Sequence, residues 1–449
     1  MAWGRRSLLR ALLLAFTAQL AIAHADTDAD VKAKPEGSSE GLVYEAIQKD
    51  DIITSNATAT TTTNPGLPKP PVEGWWESKI CSGEFCVYTN RRLQNGRGIA
   101  LVTRHHDYQR VQQAENSLNK AQNKLHDPSL LSETEVLDKG VGLTATRPLR
   151  RGKALMTFSP VLLVHQDLFT AVAKRTDRAK LLEAAVAFLP DATRALFDRQ
   201  RVQGLAAPGA EGRRTRSVED IVLGAPFEAN MGHDMNAEHS GKHYAHYPEM
   251  APVGHDCRPN MAWYVDANLA IHVTVARRAA AGEEMTVSYI DGLNWPRYKR
   301  QAWVQKRRGL GKKCGCRACT QSEEALRASD ERVRKIVDGL AELKNHDSKE
   351  VTEEKIDALL KLVDEERLHA RMAEFYENAA LNYNYLGLDV KAKKYAELAV
   401  QAGIIESGTE GNDVVANRIL ASDVKGHYSY RYTLKRRGNK NMPPPPQRA

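Results

Sequence analysis

Three cysteines within six residues, Cys314-Gly315-Cys316-Arg317-Ala318-Cys319, constrain this chain more than any other feature. Three thiols so close together cannot all sit in one regular element and be buried for packing alone. Zinc takes four soft ligands in a tetrahedron with Zn–S of about 2.3 Å, and a tight loop can supply three of them. The fourth must come from elsewhere, and Cys257 is the thiol with a distinctive context. Two disulfides among Cys257, Cys314, Cys316 and Cys319 are the other arrangement open to these residues. A Cys314–Cys316 bridge would strain the loop, so zinc is the expectation. The remaining cysteines, Cys81 and Cys86, either close a small disulfide loop in an oxidising compartment or stay as two thiols.

The start of the chain bears on that compartment. Arg5, Arg6 and Arg10 precede an apolar stretch, Ala11 to Ala23, too short to span a bilayer comfortably, and small residues follow at Ala21, Ala23 and Ala25. Residues 1–25 therefore read as a signal peptide, and the expected destination is the secretory pathway or the exterior. A mitochondrial or nuclear location is the alternative if the segment is not a functional signal. Asn56-Ala57-Thr58 is a glycosylation sequon that has meaning only on the secretory route. No later apolar run reaches transmembrane length. Residues 26–74 are rich in Thr, Pro, Ser, Lys and Glu, and such a stretch cannot bury a core, so it reads as a disordered linker.

The 449 residues allow two or three domains, and the net charge of +8 is spread along the chain rather than gathered on one stripe. A solvated surface accounts for that charge, and no direct nucleic-acid contact is expected. Short strands are predicted at Phe85 to Thr89, Gly98 to Thr103, Gly140 to Ala145, Ala154 to His165, Met261 to Val265, Ile271 to Ala276 and Met285 to Ile290. His106 to Lys124 reads as polar helix. A helical insert is expected at about 166–202, with Leu181, Leu182, Ala185, Val186 and Leu189 on one face. Glu211 to Glu249 reads as loop. Beyond Cys319 the pattern is helical, with long amphipathic stretches at Ser322 to Leu343 and Thr352 to Leu386. Small residues and aromatics then alternate around Gly387, as in tetratricopeptide-like helix hairpins. Residues 431–449 read as a disordered basic tail.

Three further segments carry chemistry: Gly140-Val141-Gly142, Gly254-His255-Asp256-Cys257-Arg258-Pro259-Asn260, and Gly282-Glu283-Glu284-Met285-Thr286-Val287-Ser288-Tyr289-Ile290. In this order, followed by the cysteine loop, they resemble a SET domain with a post-SET zinc loop, of the SMYD-like or fungal secreted kind. The resemblance runs from about Phe85 to Cys319. It implies an α+β chain: a SET-type β fold with a pseudoknot and helical insert at 75–300, a zinc loop at 301–320 and a helical region at 321–430.

It also implies a protein-lysine N-methyltransferase that uses S-adenosylmethionine on a protein or peptide lysine. Tyr289 matches the tyrosine that lines the lysine channel and orients the amine. Lys139, Gly140, Val141 and Gly142 would lie along the cofactor, as would Gly254, His255 and Tyr289. Cys257, Cys314, Cys316 and Cys319 would hold zinc. The sequence departs from the family at four places: Gly254 stands where an asparagine usually precedes the histidine, Pro252 stands where arginine is usual, Gly224-Ala225-Pro226-Phe227 lacks the expected asparagine, and the loop between Arg308 and Cys314 is longer than usual with Leu310 in place of the aromatic of a Gly-aromatic pair. Each lost hydrogen bond to a charged ligand would cost ~1.5–3 kcal/mol. A SET scaffold that has lost catalysis and binds partners through its helical region is therefore the alternative function. The oligomeric state has no sequence signature here.

Overall fold

The computed structural model describes residues 67–120, 122–136, 140–202, 216–225, 227–231, 241–290, 292–308 and 313–438. The signal-like segment, the sequon at Asn56, Lys139, Leu310 and residues 439–449 lie outside them.

Among the described residues, fourteen short strands build the β part. A six-stranded sheet runs in the order β1 (Trp75–Ser82), β2 (Phe85–Asn90), β3 (Ile99–Thr103), β8 (Leu162–His165), β10 (Lys242–His246) and β9 (Phe227–Asn230). Only the β3–β8 pair in it is parallel. A four-stranded sheet has the order β12 (Met261–Val265), β13 (Ile271–Val275), β7 (Ala154–Phe158) and β4 (Lys124–Leu125). β5 (Leu131–Val136) and β6 (Gly140–Ala145) form a hairpin, and β11 (Gly254–His255) pairs in parallel with β14 (Thr286–Val287). That last pair is a crossing of two segments that lie apart in sequence.

Helices of seven residues or more are α1 (His105–Gln113), α2 (Arg175–Ala187), α3 (Asp191–Val202), α4 (Val218–Gly224), α5 (Arg297–Arg308), α6 (Glu323–Lys344), α7 (Glu353–Glu365), α8 (Met372–Tyr385), α9 (Asp389–Ser407), α10 (Asn412–Ser422) and α11 (Tyr432–Gly438). The face expected on the insert is the one that packs: Leu181, Leu182, Ala185, Val186 and Leu189 are all buried, against Val87, Val102 and Val164 of the six-stranded sheet. Ser322 and Thr352 cap α6 and α7 by accepting backbone N–H groups of Ala325 and Lys355, which satisfies donors that a helix start leaves open. The α8–α9 hairpin closes on small residues, with Ala379, Ala392, Ala396 and Ala399 buried. No helix among the described residues is long and apolar enough to cross a membrane.

Four expectations change. The stretch from Glu211 to Glu249 holds α4, β9 and β10 as well as loop. Ser217 and Asp220 form a reciprocal cap at the start of α4. β10 was hidden because two of its buried positions are polar: His243 and His246 are buried beside Tyr244 and Ala245. Thr352 to Leu386 is two helices, because the chain turns at Glu366–Arg371. From Met285 to Ile290 only Thr286 and Val287 pair as strand. The tail is helical at α11, where Tyr432 is buried and Arg436 pairs with Asp347.

Candidate active site and metal centre

The site is assembled on the β11–β14 crossing. Gly254 pairs with Thr286 and His255 with Val287, so two distant segments run side by side. Asn260, which is buried, fixes them. Its amide oxygen accepts the Thr286 N–H at 2.8 Å, and its amide nitrogen donates to the Glu284 carbonyl at 2.8 Å and to the Glu283 carboxylate at 3.2 Å. The sequence quoted Asn260 within a motif without assigning it this role; its place directly after an X-Pro turn was the available signal.

Immediately after the crossing, Cys257 meets the cysteine loop. All four thiols are buried. Cys257 Sγ lies 3.7 Å from Cys319 Sγ and 4.0 Å from Cys314 Sγ, and the Cys257 N–H points at Cys316 Sγ at 3.4 Å. A zinc tetrahedron with Zn–S near 2.3 Å has edges of about 3.8 Å, so the sulfur spacing fits a tetrathiolate. The thiols are unpaired as disulfides, unlike Cys81 and Cys86, which are bonded across the β1–β2 hairpin. Helix α5 holds the loop from outside. Gln301 accepts the Cys314 N–H at 2.7 Å and donates to the Cys314 carbonyl at 3.3 Å. Arg300 is buried beside the sulfurs and donates to the Trp295 carbonyl. Burial alone would lower the pKa of Arg300, but the charges of Cys257 and Cys319 outweigh it and raise it. Hydrogen bonds within the cluster, from Cys314 foremost, push the Cys257 thiol up, and those from Cys257 foremost hold Cys319 down.

His255 links this centre to Tyr289. Its Nδ1 accepts the Tyr289 N–H at 3.1 Å, so the ring proton belongs on Nε2, which faces Cys257 Sγ at 3.5 Å. That tautomer makes His255 a donor to the sulfur rather than a metal ligand. The Tyr289 ring stacks on His255 with centroids 5.5 Å apart and meets Phe227 edge-on at 5.8 Å. Its hydroxyl donates to the Val253 carbonyl. Gly140 has φ of 78°, a conformation that glycine adopts without strain, and a Cβ on Gly142 would overlap Val136. A Cβ on Gly254 would lie 2.6 Å from Glu284 Oε1. The carboxylate of Glu284 thus takes up the space in which the family's asparagine would begin. Val141, between the two glycines, is exposed.

A polar contact outside the motifs braces the site. Arg258 donates to Glu366 through Nε at 3.1 Å and Nη2 at 2.6 Å, and Glu366 also accepts from Ser329 and Arg332. Both members are buried, so the helical region grips the residue next to Cys257. Sequence gave no sign of this pair, since a Glu-Arg dipeptide at a helix end is ordinary.

A second buried group, Asp107, His165 and His243, also escaped notice. Its ligand-type atoms lie within 4.8 Å of one another. Arg104 Nη1, however, sits 2.9 Å from His165 Nε2. A fixed guanidinium there repels a metal cation, so these residues form a structural polar knot. Burial, then the neighbouring His165, pushes the His243 pKa down to about 3.

A search of curated proteins finds no match. The family model described as SET domain matches residues 140–290, which hold the glycine segment, the β11–β14 crossing, Cys257 and Tyr289. With that match, residues 140–290 of the chain carry a SET domain, set within a mixed α+β fold.

Proposed function

We propose that this protein is an S-adenosylmethionine-dependent protein-lysine N-methyltransferase whose tunnel is closed by a tetrathiolate zinc site. The observation that carries the reading is the convergence of Cys257 with Cys314, Cys316 and Cys319 directly beside the His255–Tyr289 pair. The donor set is all sulfur and its spacing suits zinc. Gly140 has no side chain and its neighbour Val141 is exposed, which suits close approach by a cofactor along this strand. Lys139 and Val141 are part of the same proposed contact.

S-adenosylmethionine, when bound, supplies a methyl group on a sulfonium. The chain's own contribution is position and charge. In-line displacement by a neutral amine is accelerated chiefly by alignment. Tyr289, held by His255 on one side and Phe227 on the other, keeps its hydroxyl fixed and orients the amine. Glu284 presents a carboxylate in place of the usual asparagine amide, and an anion suits a ligand that carries an ammonium and a sulfonium. Zinc is structural: it ties the crossing to the loop after it. The basic-apolar N-terminus and the Cys81–Cys86 bond support a secretory location, with protein lysines met there as substrates.

Isothermal titration of the full chain with S-adenosylhomocysteine tests the proposal, with Tyr289→Phe as companion in a methylation assay. Binding by both proteins with a loss of roughly 10²-fold or more in transfer by the variant is the expected result. No binding at millimolar ligand would sink it. That outcome would favour the second reading, a SET scaffold that binds partners through its helices, to which the absence of an amide at Gly254 also points.

A further inference from the structure

Helices α7 and α8 end in the same backbone motif but with different residues. At the end of α8, the Gly387 N–H bonds to the Asn384 carbonyl and the Leu388 N–H to the Tyr383 carbonyl, at 3.0 and 2.9 Å. At the end of α7, the Arg367 N–H bonds to the Asp364 carbonyl and the Leu368 N–H to the Val363 carbonyl, at 2.8 and 3.2 Å. This motif places one residue in the left-handed region and selects glycine there. Gly387 has φ of 73°, while Arg367 has φ of 58° with a full side chain. The chain thus uses arginine where its own neighbouring helix uses the unstrained residue. Strain of this kind persists where function requires the side chain.

The Arg367 side chain makes no hydrogen bond or ion pair among the described residues. It lines a cleft of about 210 Å³ between the β11–β14 crossing, the cysteine loop, the body of α6 and the end of α7. Arg277 and Arg317 face the same space. Burial first, then the charges of Arg277 and Arg317, pull the Arg367 pKa down. The acidic residues of the cleft are mostly engaged. Glu366 holds Arg258 and Arg332, Glu283 holds Arg277, Glu365 reaches Lys361, and Asp256 accepts the Arg258 N–H. Glu284 stands at the far side, against Gly254. Asp256 and Glu283 attract Arg367 only at a distance, and Arg317, like Arg367, makes no side-chain hydrogen bond or ion pair among the described residues, so two guanidiniums open into one cleft.

We infer that Arg317 and Arg367 form a clamp for a phosphate-like oxyanion. Guanidinium forks grip oxyanions two bonds at a time. One fork already satisfies a planar carboxylate, whereas two forks arriving from separate segments suit a tetrahedral group with several oxygens. The group can come from a phosphorylated side chain of a protein ligand or from a free phosphate. The inference stands apart from methyl transfer and is tested without any adenosyl compound.

The test is isothermal titration of the full chain with inorganic phosphate and with a phosphoserine peptide, each against chloride at matched ionic strength. The wild-type protein is expected to bind at least one. Preference for the peptide identifies a protein-borne phosphate, and equal or better binding of inorganic phosphate identifies a free one. Arg317→Ala and Arg367→Gly are each expected to weaken binding roughly 10- to 100-fold. Arg367→Gly is expected at the same time to raise Tm, because it removes the strained residue and one of three like charges. Failure of the wild type to bind either probe would overturn the clamp, as would unchanged affinity in both variants. A lower Tm in Arg367→Gly would make the residue a part of the scaffold and would overturn it too.

Discussion

Removing the Glu366 side chain should be among the most damaging single changes away from the cysteines. Glu366 is 5% exposed and accepts from Arg258 at 2.6 and 3.1 Å, from Ser329 at 2.6 Å and from Arg332 at 2.9 Å. In Glu366→Ala the guanidinium of Arg258 stays buried, with the Cys257 and Leu293 carbonyls, at 2.6 and 2.8 Å, as its only remaining acceptors among the described residues. Breaking a buried pair on one side costs about 3–5 kcal/mol, because an uncompensated charge is left behind. That is a large part of the 5–15 kcal/mol typical of a folded domain. In the double variant Arg258→Met/Glu366→Leu neither charge remains, so most of the loss should be recovered. Urea unfolding followed by tryptophan fluorescence reads this directly, since Trp295 and Trp303 pack around the cysteine centre. A cost near 1 kcal/mol or less, the scale of a surface pair, would refute the reasoning. So would a double variant no more stable than the single one.

Other perturbations have equally definite outcomes. Cys316→Ser should abolish zinc retention through gel filtration, measured by elemental analysis, and prolonged chelation of the wild type should lower Tm to a similar degree. Gly142→Ala should cost about 1–3 kcal/mol through overlap with Val136, and Val136→Ala in the same chain should relieve it, both read by thermal unfolding. Burial raises the Glu406 carboxyl to about 7, above its ordinary 4.5. A raised acid stabilises the fold fully below its ordinary value, and that contribution is lost as pH rises through 7. Glu406→Gln should therefore leave Tm almost unchanged at pH 5 and raise it at pH 8.

The chemistry of this chain was easier to read than its architecture. The cysteine spacing pointed to four converging thiols because few other arrangements accommodate three sulfurs in six residues. The faces of the insert and the starts of α6 and α7 were legible because apolar spacing and caps are local signals. β10 was not, because two of its buried positions carry histidines, and the side-chain partner of His243, Thr103, lies 140 residues away in the chain. The break after α7 was missed for a related reason: the position that ends a helix ordinarily shows glycine, and here it is Arg367. The role of Glu284 against Gly254 could not be seen either, since it depends on two segments being brought side by side.

The separation of the sulfur ligands also bears on how this protein can be made. Cys257 waits for partners 57 and 62 residues further on. During synthesis it therefore emerges and stays exposed as a solitary nucleophile until the second strand of the crossing and the whole of α5 have followed. A chain truncated before Cys314 would keep the Asn260 bonds across the crossing but would lack both the cysteine loop and the grip of Glu366 on Arg258. If the four thiols hold zinc, as proposed, metal supply at that moment bears on whether Cys257 joins its partners or is lost to oxidation.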